Sequence, residues 1–514
     1  MRVLLVNPPY LTLTASLGVG HQVPLGLLMV GGPLIDAGHQ VKLLDAERGH
    51  LGIHRIVREV RKFQPDIVMT GHAGSTPAHP ICMKMLRAIR SACPEIINVY
   101  GGVYPTYHAA DILRDESSVD VIVRGEGEAT TLELVDALAN GRELESVDGV
   151  TFRSGLDVVA TRDRASIREF EAHRTGWELI EDWDRYRCFG LGRAAIVQFS
   201  RGCPHQCSYC GQRDFWTQWR HRDPVKLADE IEWLYRTHNV RFLTLADENP
   251  TTLRSEWQRF LEEIASRNLP VYFLATIRAT DIVRDEDILR LYREAGILYI
   301  LLGIESTSPE VIRRIRKGSS VQMDYRAIRL LREHQIYSIM GHIVGFEDET
   351  RADFRTAYEQ LCLYDGDYLN AMYVTPHRWT SFAEESRSRQ IVQLDLSKWD
   401  YRHQVFKQKH LRPWQLLLAV KWLELRYHVR PKRMLRLLTE RHPFRRRQLW
   451  WNLLHTSVVW CGEILAFLFA TSFTKRPISL EKLHGDGPGR SDLPVLPVVS
   501  PAEKDPVLTQ DFSS

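Results

Sequence analysis

Three thiols stand close together in Cys203-Pro204-His205-Gln206-Cys207-Ser208-Tyr209-Cys210. The CxxxCxxC spacing lets one loop cap three corners of a metal cluster. No fourth cysteine follows at the spacing of a Cys₄ zinc or ferredoxin site. A 4Fe–4S cluster held by Cys203, Cys207 and Cys210 keeps one iron open, so the run signals chemistry at iron. The blander reading is a structural zinc site. It needs a further ligand, nominally His205, whose place between the first two cysteines better suits a residue that shapes the turn.

A chain of 514 residues has room for two or three domains, and its 25% charged residues are those of an ordinary globular protein. A net charge of +3 points to neither nucleic acid nor membrane by itself. The five other cysteines (Cys82, Cys93, Cys188, Cys362 and Cys461) are scattered singly. That is no disulfide framework and fits a reducing cytoplasm. Met1 to Pro9 carries one charge and a short apolar run ending at prolines, which reads as a first buried strand.

The elements that must position the thiols alternate on both sides of them. Upstream, strand candidates at 3–6, 40–44, 66–70, 97–100 and 119–123 are separated by helix candidates at 25–37, 53–63, 80–92 and 130–139. This predicts a doubly wound, Rossmann-like α/β domain over 1–145. Ligands of such sheets sit at the carboxyl ends of the strands. The loops there contain Asn7 and Pro8; Gly71, His72, Gly74, Ser75 and Thr76; Gly101, Gly102, Val103 and Tyr104; and Gly125 and Glu126. None matches GxGxxG or a P-loop. Residues 146–190 read as a linker with a small hairpin. A TIM-like partial barrel is expected over 191–400, with strands at 240–245, 271–276, 297–302, 338–344 and 367–374. Its strand ends carry Asp247, Glu248 and Asn249, able to take an ammonium, and Arg278, which matches a carboxylate bidentately. Glu305 can accept from hydroxyls, Gly341 and Gly345 allow close backbone approach, and Tyr209 offers an aromatic face.

Residues 401–475 turn helical and basic. Between Tyr401 and Trp450 there are fourteen Lys or Arg against two acids, Glu424 and Glu440. No DNA-binding motif accompanies them, so nucleic acid is discounted and a solvated face is the simpler reading. The apolar stretch 450–473 holds Glu463, which argues for a packed helix first, an interfacial helix second and a membrane span third. The Pro-, Gly- and Ser-rich tail, 476–514, is expected to be disordered.

CxxxCxxC with an aromatic before its last cysteine, followed by these strand-end groups, resembles the radical SAM enzymes. The resemblance implies S-adenosylmethionine on the open iron, contacted by Tyr209, Asp247, Glu248, Asn249, Arg278, Glu305, Gly341 and Gly345. One-electron cleavage would give a hydrogen-abstracting 5′-deoxyadenosyl radical. Asn7-Pro8-Pro9, Gly101 to Thr106 and Gly125 to Glu128 resemble the cobalamin-binding domain that precedes the cluster in many of these enzymes. The loop residues named above are then its cobalamin contacts. The DxHxxG signature is lacking, which implies cobalamin bound without a histidine below cobalt; His72 lines the pocket.

The match narrows at His21 to Leu27, Gly71 to Pro80, Ser200 to His205, Phe215 to Asp223 and Thr244 to Thr252. Together these resemble the oxygen-independent magnesium-protoporphyrin IX monomethyl ester oxidative cyclases of bacteriochlorophyll biosynthesis, over roughly residues 1–450. The resemblance implies a magnesium-porphyrin substrate, closure of its isocyclic fifth ring with oxygen from water, and an electron donor such as a ferredoxin or flavodoxin. His342, His377 and His403 are candidates for the substrate magnesium. The expected setting is the cytoplasm, with a peripheral contact to the inner membrane left open. Two other readings stay open: a cobalamin-dependent radical SAM methyltransferase, and a cobalamin or tetrapyrrole sensor or carrier with a structural cluster.

Overall fold

The computed structural model describes residues 1–16, 19–47, 51–72, 76–469 and 471–484. The first domain is built on β1 (Arg2–Asn7), β2 (Gln40–Asp45), β3 (Ile67–Gly71), β4 (Ile97–Gly101) and β5 (Val121–Val123), parallel in the order 2-1-3-4-5. The strands are continuous apolar runs because both faces are covered. Val3 and Leu5 face the helix Leu25–Asp36 through Leu28 and Leu34, while Leu4 and Val6 face Ile56, Val60 and Leu86 on the other side. The order reverses between β1 and β3, the switch point at whose strand carboxyl ends sheets of this kind take their ligands. The hairpin β6 (Val150–Ser154) and β7 (Asp157–Ala160), which the sequence places in the linker, extends this sheet antiparallel to β5.

The second sheet contains β8 (Arg193–Val197), β9 (Val240–Leu245), β10 (Tyr272–Thr276), β11 (Ile297–Glu305), β12 (Tyr337–Val344) and β13 (Tyr368–Tyr373). All six are parallel and neighbours follow chain order, giving an open barrel wall. Its outer face (Leu243, Phe273, Ile300, Met340) packs under the barrel helices. On the inner face, Phe242, Tyr299, Tyr337 and Ile339 meet Leu437 and Leu449 from the C-terminal helices.

A buried cation joins the two domains. Arg201, just before the cysteine run, pairs with Glu126, in the loop after β5, at 2.7 Å and with Glu128, in the first turn of the helix Gly127–Ala139. Arg220 takes the other oxygen of Glu126 at 2.6 Å. The Arg201 guanidinium also lies over the Phe170 and Trp216 rings, 4.9 and 5.0 Å from their centroids.

Two C-terminal expectations change. In the helix Pro443–Phe469 only the first half is packed: Arg445, Gln448, Leu449, Asn452 and Thr456 are buried, whereas Val458, Leu465, Leu468 and Phe469 are exposed. Glu463 is compatible with this helix because Arg402 and Lys421 pair with it. The ordered chain also runs into the expected tail. Ile478–Ser479 pairs with Gln390–Ile391, and Leu480 is buried against Phe382, Trp399 and Phe406. Residues 485–514 lie outside the described residues.

Candidate active site

The cysteine loop sits between the two sheets, at the carboxyl end of the barrel strands. All three of its cysteines are free thiols. The His205 backbone N–H points at the Cys203 sulfur, and those of Gln212 and Arg213 at Cys210. Arg278 places Nη1 3.7 Å from the Cys207 sulfur. Donors aimed at sulfur favour thiolates, the form in which cysteine binds metal. Without a metal, burial would push the Cys203 thiol up to about 11. A closed zinc site needs a fourth ligand beside the three thiols, and His205, the nominal candidate, lies within the loop with its backbone N–H on Cys203. Thiols spread along one loop suit separate corners of a cluster, and the donor chemistry fits a 4Fe–4S group.

Three strand ends supply the surroundings. Arg278, after β10, is fixed by the carbonyls of Lys317 and Gly318, while its Nε is buried without a hydrogen-bond partner. A buried, unsatisfied guanidinium N–H favours an incoming carboxylate. Glu305 closes β11 with φ +57°; its Oε1 accepts from the Tyr209 hydroxyl at 2.7 Å and from Lys317 Nζ at 2.8 Å. Lys317 is a loop residue with no periodicity or motif to announce it. Its ammonium and carbonyl tie Glu305 and Arg278 to one point.

Gly303 and Gly341 are cross-strand partners on β11 and β12. A Cβ on Gly303 would fall 2.1 Å from Glu305 Oε1, and one on Gly341 would lie 3.3 Å from Met372 Cε. The bare backbone at Gly303 lets the Glu305 carboxylate and the Lys317 ammonium lie directly over the strand, and Met372 covers Gly341. Gly345 turns the chain after β12 at φ +90°; its N–H is held by Glu349 and its carbonyl by Gln408.

The three acidic and amide groups after β9 separate into different tasks. Asp247 accepts from the Phe199 N–H at 3.1 Å and from the backbone and hydroxyl of Ser200, fixing the entry to the cysteine loop. Asn249 is tied to Thr252 and Asp281, both at 3.0 Å. Glu248 accepts from Gly202 N at 3.2 Å, and burial with the neighbouring Asp247 pushes its carboxyl up to about 8. A nearby ammonium would restore its charge.

In the first domain Asn7 Nδ2 donates to Asp45 at 2.8 Å and Glu47 at 3.3 Å, bracing the first strand end. Pro8 follows it at the strand end. Tyr10 meets His72 edge-on, with ring centroids 5.2 Å apart. Gly71 must be glycine because a Cβ would fall 2.7 Å from the Gly101 carbonyl oxygen, and Gly102 has φ +104°. These two glycines let the loops after β3 and β4 touch. Gly125, at φ +70°, has open space where a Cβ would stand. Val103 is buried, and Tyr104 stacks on His79 at 4.4 Å. Gly74 and Ser75 lie outside the described residues. Glu126 belongs to the interdomain clamp.

The three histidines separate as well. His377 is buried with both nitrogens engaged, Nδ1 to Thr76 Oγ1 at 2.8 Å and Nε2 to Tyr401 OH at 2.5 Å. It joins the β3 loop to the barrel, and both of its nitrogens are occupied by these hydrogen bonds. His403 Nδ1 contacts Asp400 at 2.9 Å. His342 shares the helix-packed face of β12 with Met340 and Val344. It is the cross-strand partner of Glu305 on β11 and feels that carboxylate's charge, with Nδ1 buried and unpartnered.

Two family models match in the order the geometry requires: the B12 binding domain over residues 13–135 and the Radical SAM superfamily over 197–361. Along 96% of this chain and 99% of its own length, the anaerobic magnesium-protoporphyrin IX monomethyl ester cyclase of Synechocystis sp. is 45% identical to it. The chain belongs to that cyclase family. The protein of the same name from Cereibacter sphaeroides is 34% identical over 82% of the chain and 69% of its own. The fold of the cyclase is shared more widely. The structure of the radical S-adenosylmethionine methyltransferase TsrM from Kitasatospora setae, with cobalamin and a 4Fe-4S cluster bound, superposes with a TM-score of 0.67. It has 16% identity and covers 90% of this chain and 99% of that one. OxsB, a cobalamin-dependent S-adenosylmethionine radical enzyme, gives 0.67 at 17% identity, covering 90% and 72%. At such identities the likeness establishes the fold alone.

Proposed function

We propose that the chain closes the isocyclic ring of magnesium-protoporphyrin IX monomethyl ester without O₂, as a cobalamin-dependent radical SAM cyclase. The reaction class rests on one observation: three free cysteines on a loop whose Tyr209 is locked to Glu305 and whose Cys207 faces Arg278. The substrate rests on the 45% identity to a cyclase of that name.

Cys203, Cys207 and Cys210 would hold the cluster. Arg278 Nε and Glu248 suit the carboxylate and ammonium of S-adenosylmethionine, and Glu305 suits the hydroxyls of its ribose. Bound there, these cofactors supply a radical that abstracts hydrogen, and cobalamin is the second cofactor, at the strand ends of the first domain. The protein's part is orientation and exclusion of water. Arg201 fixes the spacing of the two domains, and His377 ties Thr76 of one to Tyr401 of the other. A ferredoxin or flavodoxin would deliver the electron, water the new oxygen, and a reducing cytoplasm suits the eight free cysteines.

The test is anaerobic incubation of the reconstituted protein with reductant, S-adenosylmethionine, cobalamin and magnesium-protoporphyrin monomethyl ester in ¹⁸O-labelled water. A ring-closed, labelled product is expected. A methylated porphyrin with S-adenosylhomocysteine would instead make the chain a methyltransferase. Turnover by Cys207→Ala equal to the parent's would overturn the cluster assignment.

A further inference from the structure

The C-terminal helices turn an apolar face outward above an unbalanced basic centre. On Pro413–His428, Trp414, Leu418 and Trp422 are exposed at a spacing of four and so lie on one stripe. The next helix, Pro431–Thr439, exposes Leu435 and Leu438 while burying Arg433 and Leu437. On Pro443–Phe469 the outward stripe is Leu454, Val458, Leu465 and Leu468. Soluble surfaces scatter large apolar side chains singly, whereas these recur at helical spacing on three consecutive helices.

Beneath them lies more positive charge than the carboxylates present can neutralise. Asp365 is surrounded by Arg332, Arg430, Lys432 and Arg436, Asp367 by Arg436 and Arg445, and Arg445 also takes Glu440. Arg433 joins this centre buried, with Nε, Nη1 and Nη2 all lacking a hydrogen-bond partner; Arg332 has two more such nitrogens. Buried guanidinium N–H groups without acceptors favour a nearby anion. Lys432, 71% exposed in its side chain, leads from this centre to the surface.

We propose that this face docks on an anionic phospholipid bilayer, with Trp422, Leu435 and Leu438 entering the headgroup layer and lipid phosphates over Lys432 and Arg332. An apolar outer face, tryptophans beside it and excess cationic charge match an interfacial surface. The assignment does not depend on the porphyrin substrate.

Flotation of the full-length, cluster-loaded protein with phosphatidylcholine vesicles, alone or mixed with phosphatidylglycerol, tests it. Binding to the mixed vesicles should exceed binding to phosphatidylcholine by about tenfold and weaken with salt. A variant with W422Q, L435Q and L438Q, all at exposed positions, should lose binding about tenfold while cleaving S-adenosylmethionine at the parent's rate. Lys432→Glu should lower the salt-sensitive part. Equal binding by parent and triple variant, or no vesicle binding, overturns the proposal. So does a dimer that dissociates in the triple variant, or competition by inorganic phosphate that abolishes vesicle binding.

Discussion

Changing Glu305 to Gln tests the buried lock on the cysteine loop. Glu305 and Lys317 are 8% and 9% exposed in their side chains, so little solvent screening discounts their 2.8 Å pair. Gln keeps the shape and can still accept from Tyr209, but it leaves the Lys317 ammonium buried without a counter-charge. Breaking a buried pair from one side costs about 3–5 kcal/mol, whereas replacing both partners by uncharged groups is often near neutral. For a barrel of this size that loss corresponds to roughly 6–20 °C in the unfolding midpoint, at about 2–4 °C per kcal/mol. E305Q should therefore melt well below the parent in differential scanning fluorimetry of the apo protein. The double variant E305Q/K317M should recover most of the difference. Cleavage of S-adenosylmethionine should remain low in both, because the carboxylate is gone from the strand end. A single variant melting within a degree of the parent, or a double variant no more stable than the single, would refute the pairing argument.

Other outcomes follow from the same geometry. Arg201→Met leaves Glu126 and Glu128 buried without their shared cation, so the two domains should loosen; cobalamin retention on gel filtration should fall while the isolated cluster's absorption persists. Tyr209→Phe removes the 2.7 Å bond to Glu305 and should slow S-adenosylmethionine cleavage about tenfold with little change in melting. Burial lowers His342 to about 4, so folding favours its neutral form and stability is lost as pH falls from about 6.5 towards 4. That amounts to about 3 kcal/mol, and His342→Leu should make this limb of a pH–stability curve shallower, the rest of the limb coming from the equally lowered His79, His205, His377 and His484. Gly303→Ala should abolish S-adenosylmethionine binding in equilibrium dialysis, because its methyl would displace Glu305.

Much of this protein is written locally. Apolar runs separated by helical stretches locate most of the parallel strands to within two residues, since burial on both faces demands them; the first barrel strand, Arg193–Val197, escaped the pattern, and the strand from Ile297 runs three residues further than expected, to Glu305. The three cysteines are legible because loop spacing alone decides whether thiols can share a cluster. Polar groups at strand ends are legible because parallel sheets place them on one rim. What those groups do there needed the tertiary structure. Asp247, Glu248 and Asn249 are consecutive, yet one braces the loop, one faces the cysteines and one is tied into Asp281, because each points to a different neighbour. Lys317 carries no motif, and only the return of its loop to Arg278 and Glu305 makes it part of the site. Glu126 and His377 became interdomain ties through residues 75 and 301 positions away. The outward apolar stripes were equally hidden. Periodicity marks a helix's apolar side, but only packing decides whether that side meets a core or is left facing outward.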